Sequence, residues 1–202
     1  MEDNAPNVER IYTDIEWALC QGRPAGELIP MVERLINEAE PSSPHSTYAK
    51  RQLAELIVRR EPFRAARLAH EVLKGQPDDD RALAVLGLAN LLLRHFKMAE
   101  RCYRRALALV PHCPWYAHNL GHMLDVALER PYEALPLLAL SRRTLPLDRE
   151  IAGSYAHGLW ACGRDTEAWG HLLVAVDDNH TKAKEMLERW RKHRDESPWI
   201  KR

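Results

Sequence analysis

The chain has 202 residues, 46% of them hydrophobic, and its 29 basic residues are offset by 29 acidic ones. That balance excludes a global electrostatic pull toward nucleic acid or an anionic membrane. Abundant Ala, Leu, Glu and Arg with only 9 glycines favour helix from end to end. The four cysteines, Cys20, Cys102, Cys113 and Cys162, are far apart and form no CxxC, so they read as reduced thiols rather than a disulfide framework. The start, MEDNAPNVER, lacks the apolar core of a signal peptide. No run approaches the roughly 18 apolar residues of a membrane span. A cytoplasmic location is the expectation.

Residues 1–7 read as a disordered lead. Val8, Ile11, Tyr12, Ile15, Leu19 and Cys20 then form a helical stripe, which Gly22-Arg23-Pro24 breaks. A second helix over 26–40 carries Leu28, Ile29, Val32, Leu35 and Ile36, with Pro30 tolerated near its first turn. Residues 8–43 thus make a degenerate repeat or an N-terminal helical cap. Pro41-Ser42-Ser43-Pro44 is the clearest interruption in the chain. Helices over 47–60 and 63–75 follow, with Ala65 and Ala69 four residues apart and Pro77 beyond the end.

Residues 80–111 are the most regular stretch. Leu83, Leu86, Gly87 and Asn90 lie on a first helix. Ala99, Tyr103 and Ala106 lie on a second, which stops at Pro111 because proline cannot continue a helix. Gly87 and Ala99 are small where two helices must approach closely, and Tyr103 is large where the next unit must be filled.

Pro77 to Pro111 is 34 residues, and so is Gly87 to Gly121. Pro111 to Pro146 is 35, so one extra residue lies between Gly121 and Ala134; Glu129-Arg130-Pro131 is the expected place. The third unit carries Ala117, Leu120, Gly121 and Leu124, then Ala134 and Leu138. The fourth carries Ala152, Tyr155, Ala156 and Leu159, then Ala168, Leu172 and Ala175. A last helix over 181–194 has Thr181 as the expected N-cap and Ala183, Met186, Leu187 and Trp190 as its apolar stripe. Its remaining faces are charged, as the end of a stacked array requires.

This period and these small and large positions resemble the tetratricopeptide repeat family over residues 44–194. The resemblance implies an all-α, right-handed superhelix of about eleven helices, with four repeats over 44–180, a capping helix over 181–194 and a tail over 195–202. It also implies a non-catalytic role, an adaptor or assembly factor that holds a partner protein or peptide segment in the concave groove lined by the first helix of each repeat. No glycine-rich phosphate loop, GxSxG or HExxH points to an enzyme, and no cofactor is expected.

Helical facing supplies the groove candidates. Trp115, His118, Asn119, His122 and Asp125 share one side of the third unit's first helix. Ser154, His157 and Trp160 occupy the corresponding side in the fourth unit, His157 falling 35 residues after His122. The tryptophans would fill the groove and the polar groups would fix the register of a bound segment; the competing reading packs both tryptophans between helices. His118, His122 and His157, with Asp125, also raise a metal-binding alternative, since His118 and His122 stand one turn apart. A further alternative is a cytoplasmic chaperone, because the chain is also similar to the helical-repeat chaperones of bacterial secretion systems. Lys50 and Asn119 resemble part of the family's carboxylate clamp, but Ala84, Val85 and Leu88 stand where its polar groups belong, so that function is not carried over. The tail is basic and holds Trp199, but with few stacking aromatics it reads as a solvated cap rather than an RNA site. The degenerate N-terminal pair is a candidate homodimer surface.

Overall fold

Prolines and short polar side chains decide where the helices begin. Pro44, Pro62, Pro114 and Pro131 each take a first helical position, where a missing N–H loses no hydrogen bond. At four starts, that of Pro44 among them, a side chain accepts from the first turn: Ser43 from Ser46 N (3.1 Å), Asp79 from Ala82 N (2.8 Å), Asp148 from Ile151 N (2.9 Å) and Asn179 from Lys182 N (2.9 Å).

The computed structural model describes residues 5–196, with side chains from 7 to 192. The described residues form eleven α-helices and no strand. They are α1 (Ala5–Cys20), α2 (Ala25–Glu38), α3 (Pro44–Ile57), α4 (Pro62–Gly75), α5 (Asp80–Leu92), α6 (Phe96–Leu109), α7 (Pro114–His122), α8 (Pro131–Thr144), α9 (Arg149–Ala161), α10 (Asp165–Ala175) and α11 (His180–Glu196). The first helix begins at Ala5, inside the stretch read as a lead. The Trp199 tail lies outside the described residues. Asn179, not Thr181, caps α11: Asp177 and Asp178 adopt left-handed backbone (φ 60° and 57°), and that turn delivers the Asn179 side chain to Lys182 N.

The chain divides into two compact units, Met1–Pro111 and His112–Arg202. In the first, each helix from α1 to α6 packs on the next, and α3 also meets α5. One core runs from Ile11 and Ile15 through Leu53, Ile57 and Val72 to Leu86 and Cys102. Gly87 is small at a close approach, as the sequence predicts, but the group it meets is Tyr103 of its own repeat, which the sequence reading places against the next unit. Tyr103 is fully buried, and a Cβ on Gly87 would stand 3.0 Å from its ring.

In the second unit α7 to α11 also pack in series, and α7 meets α9. Leu138 of α8 is fully buried between two glycines. A Cβ on Gly121 would lie 2.9 Å from its Cγ, and one on Gly158 would lie 2.9 Å from its Cδ1. Ser141 Oγ donates to Pro114 O (2.8 Å), fixing α8 against the start of α7.

The extra residue of the third repeat is not in its turn. Arg94, Glu129 and Gly163 (φ 61°, 53° and 77°) each sit two residues before the next helix, so the three turns are alike. Seven residues separate Gly87 from Arg94 and Ala156 from Gly163, but eight separate Gly121 from Glu129. The surplus is absorbed earlier, where α7 continues into a π-helical turn over Met123–Ala127. A residue inserted into a helix is accommodated by widening one turn.

Tyr103→Ala is expected to destabilise the first unit by about 3–5 kcal/mol through loss of a large buried ring. Gly87→Val should cost about 1–3 kcal/mol through overpacking. Urea denaturation checks both, and wild-type stability in either variant would contradict the close approach.

Candidate partner-binding groove

The π turn rotates the end of α7 so that Asp125 faces inward. Its carboxylate is buried and accepts a hydrogen bond from His157 Nδ1 of α9 (2.6 Å). A turn earlier, Ser154 Oγ lies 2.9 Å from His118 Nε2 and 3.3 Å from His122 Nδ1. One hydroxyl can donate to one ring and accept from the other, which suits two neutral imidazoles. The two rings stack with centroids 5.9 Å apart. His118, Ser154, His122, Asp125 and His157 therefore tie α7 to α9 through side chains alone.

Electrostatics agree with neutral rings. His118 is only 5% exposed, and burial pushes its pKa below the ordinary value, with the neighbouring His122 charge as the second cause. His122 is open to solvent on one side, yet the protein packed around its ring also lowers its pKa. Asp125 opposes that shift and His157 adds to it.

The residues singled out in the sequence fall into four places. His122, Ser154 and His157 line a groove of about 610 Å³ between the end of α7, α9 and α11. His118 and Asp125 lie beneath it as buried supports, and Asn119 is half-buried beside them on α7. Trp115, 51% exposed at the start of α7, is not part of the groove wall.

Trp160 corrects the expectation. It is 5% exposed and packs against Trp190 of α11, ring centroids 5.6 Å apart, in a cluster with Leu159 and Ala168. An aromatic at the very end of α9 meets α11 before it can reach an open groove, so it anchors that helix. The metal alternative is corrected too. The imidazoles aim their bonded nitrogens at Ser154 and Asp125 instead of a common point. Among the described residues no group of three or more His, Cys, Asp or Glu is placed to hold a metal.

The helix α11 contributes groove residues from both its apolar stripe and the charged face expected to be solvated. Lys182, Met186, Arg189 and Trp190 share the groove-facing side, with Val126 of the π turn opposite and Glu150 and Arg149 on α9. Arg149 pairs with Asp177 (2.8 Å). Among the described residues the Lys182 and Arg189 side chains meet no carboxylate. Their spacing, i, i+4 and i+7 from Lys182 through Met186 to Arg189, is the signal that marks one helical face.

No protein-family model and no curated protein sequence matches the chain. Solved structures do. MamA 41-end from Desulfovibrio magneticus RS-1 superposes with a TM-score of 0.67 at 14% identity, over 90% of this chain and 98% of that one. A second MamA structure gives 0.62 at 18% identity, over 89% and 96%. YrrB, described as a TPR protein with an unusual peptide-binding site, gives 0.65 at 19% identity, over 84% and 87%. The fold is that of the tetratricopeptide-repeat proteins. In such a repeat array α7, α9 and α11 are successive first helices, and it is these three that surround the groove. Among the described residues no helix is long and apolar enough to cross a membrane.

Stability should fall as pH is lowered. The folded pKa values of His118 and His122 lie below the unfolded value, so the unfolded chain binds protons first. The stability is complete above the ordinary imidazole value and is lost as pH drops from there toward the lowered folded values. Thermal denaturation from pH 7.5 to 5.5 should show a falling Tm in wild type and a shallower fall in His118→Gln. Parallel slopes would contradict the neutral buried ring.

Proposed function

We propose that this protein is a non-catalytic interaction adaptor that holds an extended segment of a partner protein in the groove of its C-terminal unit. The groove of about 610 Å³ carries the proposal, because apolar surface and converging polar groups line it together. Val126, Ala175, Val176, Met186 and Trp190 offer surface for a partner's apolar side chain. His122, Ser154, His157 and Glu150 stand ready to hydrogen-bond its backbone, and Lys182 and Arg189 to meet an acidic group.

The buried layer beneath makes this wall rigid. Asp125 fixes the His157 tautomer with Nδ1 as donor, which leaves Nε2 for a ligand. His118 holds Ser154 from below. A preorganised wall loses less entropy when a flexible segment binds. The likeness in fold to YrrB, a TPR protein with a peptide-binding site, supports the same reading. Trp115, exposed at the start of α7, is a further contact for a segment longer than the groove.

Affinity capture from native lysate, with mass spectrometry, tests the proposal by comparing wild type with His122→Ala/Arg189→Glu. A partner held by wild type should be retained about tenfold less by the variant, the scale of about 1.4 kcal/mol of lost contact. Equal retention would contradict the groove assignment.

A further inference from the structure

A second groove lies on the N-terminal unit, between the second helices α4 and α6, with α5 as its floor. Two adjoining cavities of about 330 and 560 Å³ share His70, Lys74, Leu86 and Met98, and so form one channel. The floor is apolar, with Leu83 and Leu86 buried beneath and Leu93 beside them. Apolar groups also stand on the edges: Phe63 of α4 is 74% exposed and Met98 of α6 is 44% exposed.

The rim is cationic. Arg67 and Lys74 project from α4, and Arg101 from α6. Among the described residues none of the three meets a carboxylate. Arg105 is already held by Asp78 and Pro77 O, both at 2.8 Å. The acidic residue in the lining, Glu71, is neutralised by Lys50 at 3.3 Å. From Phe63 to Lys74 the α4 wall extends eleven residues, about 16 Å or three helical turns at 1.5 Å per residue.

We propose that the α4–α6 groove docks an acidic amphipathic helix of a partner protein. Its apolar stripe lies on Leu86, Leu93, Phe63 and Met98, and its flanking Asp and Glu side chains meet Arg67, Lys74 and Arg101. A recessed apolar floor fits a rod with one apolar stripe and gives a flat bilayer no depth to enter. Nucleic acid would leave that floor uncovered, since Phe63 is the single Phe, Tyr or Trp among the described lining residues. Opposite charge along both rims sets the orientation and excludes basic helices. This surface is separate from the C-terminal groove and its proposed ligand.

Fluorescence anisotropy on the full chain tests the proposal with a labelled amphipathic helix of about 20 residues, Leu at i, i+3, i+4 and i+7 and Glu on the flanks. The controls are its Lys-for-Glu analogue and a scrambled sequence. The Glu peptide should bind, more weakly at high salt, and the two controls should not. Arg67→Glu/Arg101→Glu and Phe63→Ala/Met98→Ala should each weaken it about tenfold, a change of about 1.4 kcal/mol. These residues are exposed, so circular dichroism should show all variants folded. His122→Ala/Arg189→Glu should bind the Glu peptide as wild type does. The proposal is overturned if no peptide binds, if the controls bind equally, or if the rim variants bind unchanged. It is also overturned if the rim variants lose retention on phosphatidylserine vesicles, RNA binding or self-association while peptide binding stays intact.

Discussion

Leu138 is wedged between Gly121 and Gly158, and the C-terminal unit is built around that contact. A side chain at either glycine would push the helices apart, because its Cβ would fall inside the leucine. The close approach brings α7 and α9 near enough for Ser154 to reach two histidines and for Asp125 to reach His157. The polar layer is thus a consequence of apolar packing. It is also a constraint in return, since each buried polar group left unmade would cost on the order of 1–3 kcal/mol.

The widened turn over Met123–Ala127 completes this arrangement. In a regular helix the residues after His122 would continue the α7 spiral. One surplus residue instead turns Asp125 inward and leaves Val126 exposed on the groove wall. A single insertion therefore supplies a buried carboxylate that orients a histidine and an apolar contact that faces the ligand. The opposite wall comes from α11, which is held by Trp160 against Trp190 and by Ala183 in the core. The last of the described helices therefore forms one wall of the groove.

Much of the architecture is legible in the residues. The close approach at Gly87 and the stripe through Ala183, Leu187 and Trp190 follow from helical period and side-chain size, which are local properties, but not that Tyr103 of the same repeat is what Gly87 admits. The π turn is half legible: counting shows that the third repeat holds one residue too many, but only backbone geometry distinguishes a long turn from a widened helix. Helical facing on α7 and α9 is sufficient to bring His122, Ser154 and His157 to one groove. It fails at Trp160, because facing does not reveal that a neighbouring helix already covers that side. It also misses Lys182 and Arg189, whose charge suggests a solvated face until α11 is seen to stand beside α9 as another first helix.

The central claim is that partners meet the wall formed by α7, α9 and α11. Its most direct measurement is site-specific photocrosslinking in native lysate, with p-benzoylphenylalanine in place of Val126 on the groove wall or of Tyr132 on α8. Both positions are exposed, so neither substitution disturbs the core. A discrete adduct from position 126 and none from position 132 is the expected result. Equal adducts from both positions, or an adduct from 132 alone, would contradict the assignment of the groove.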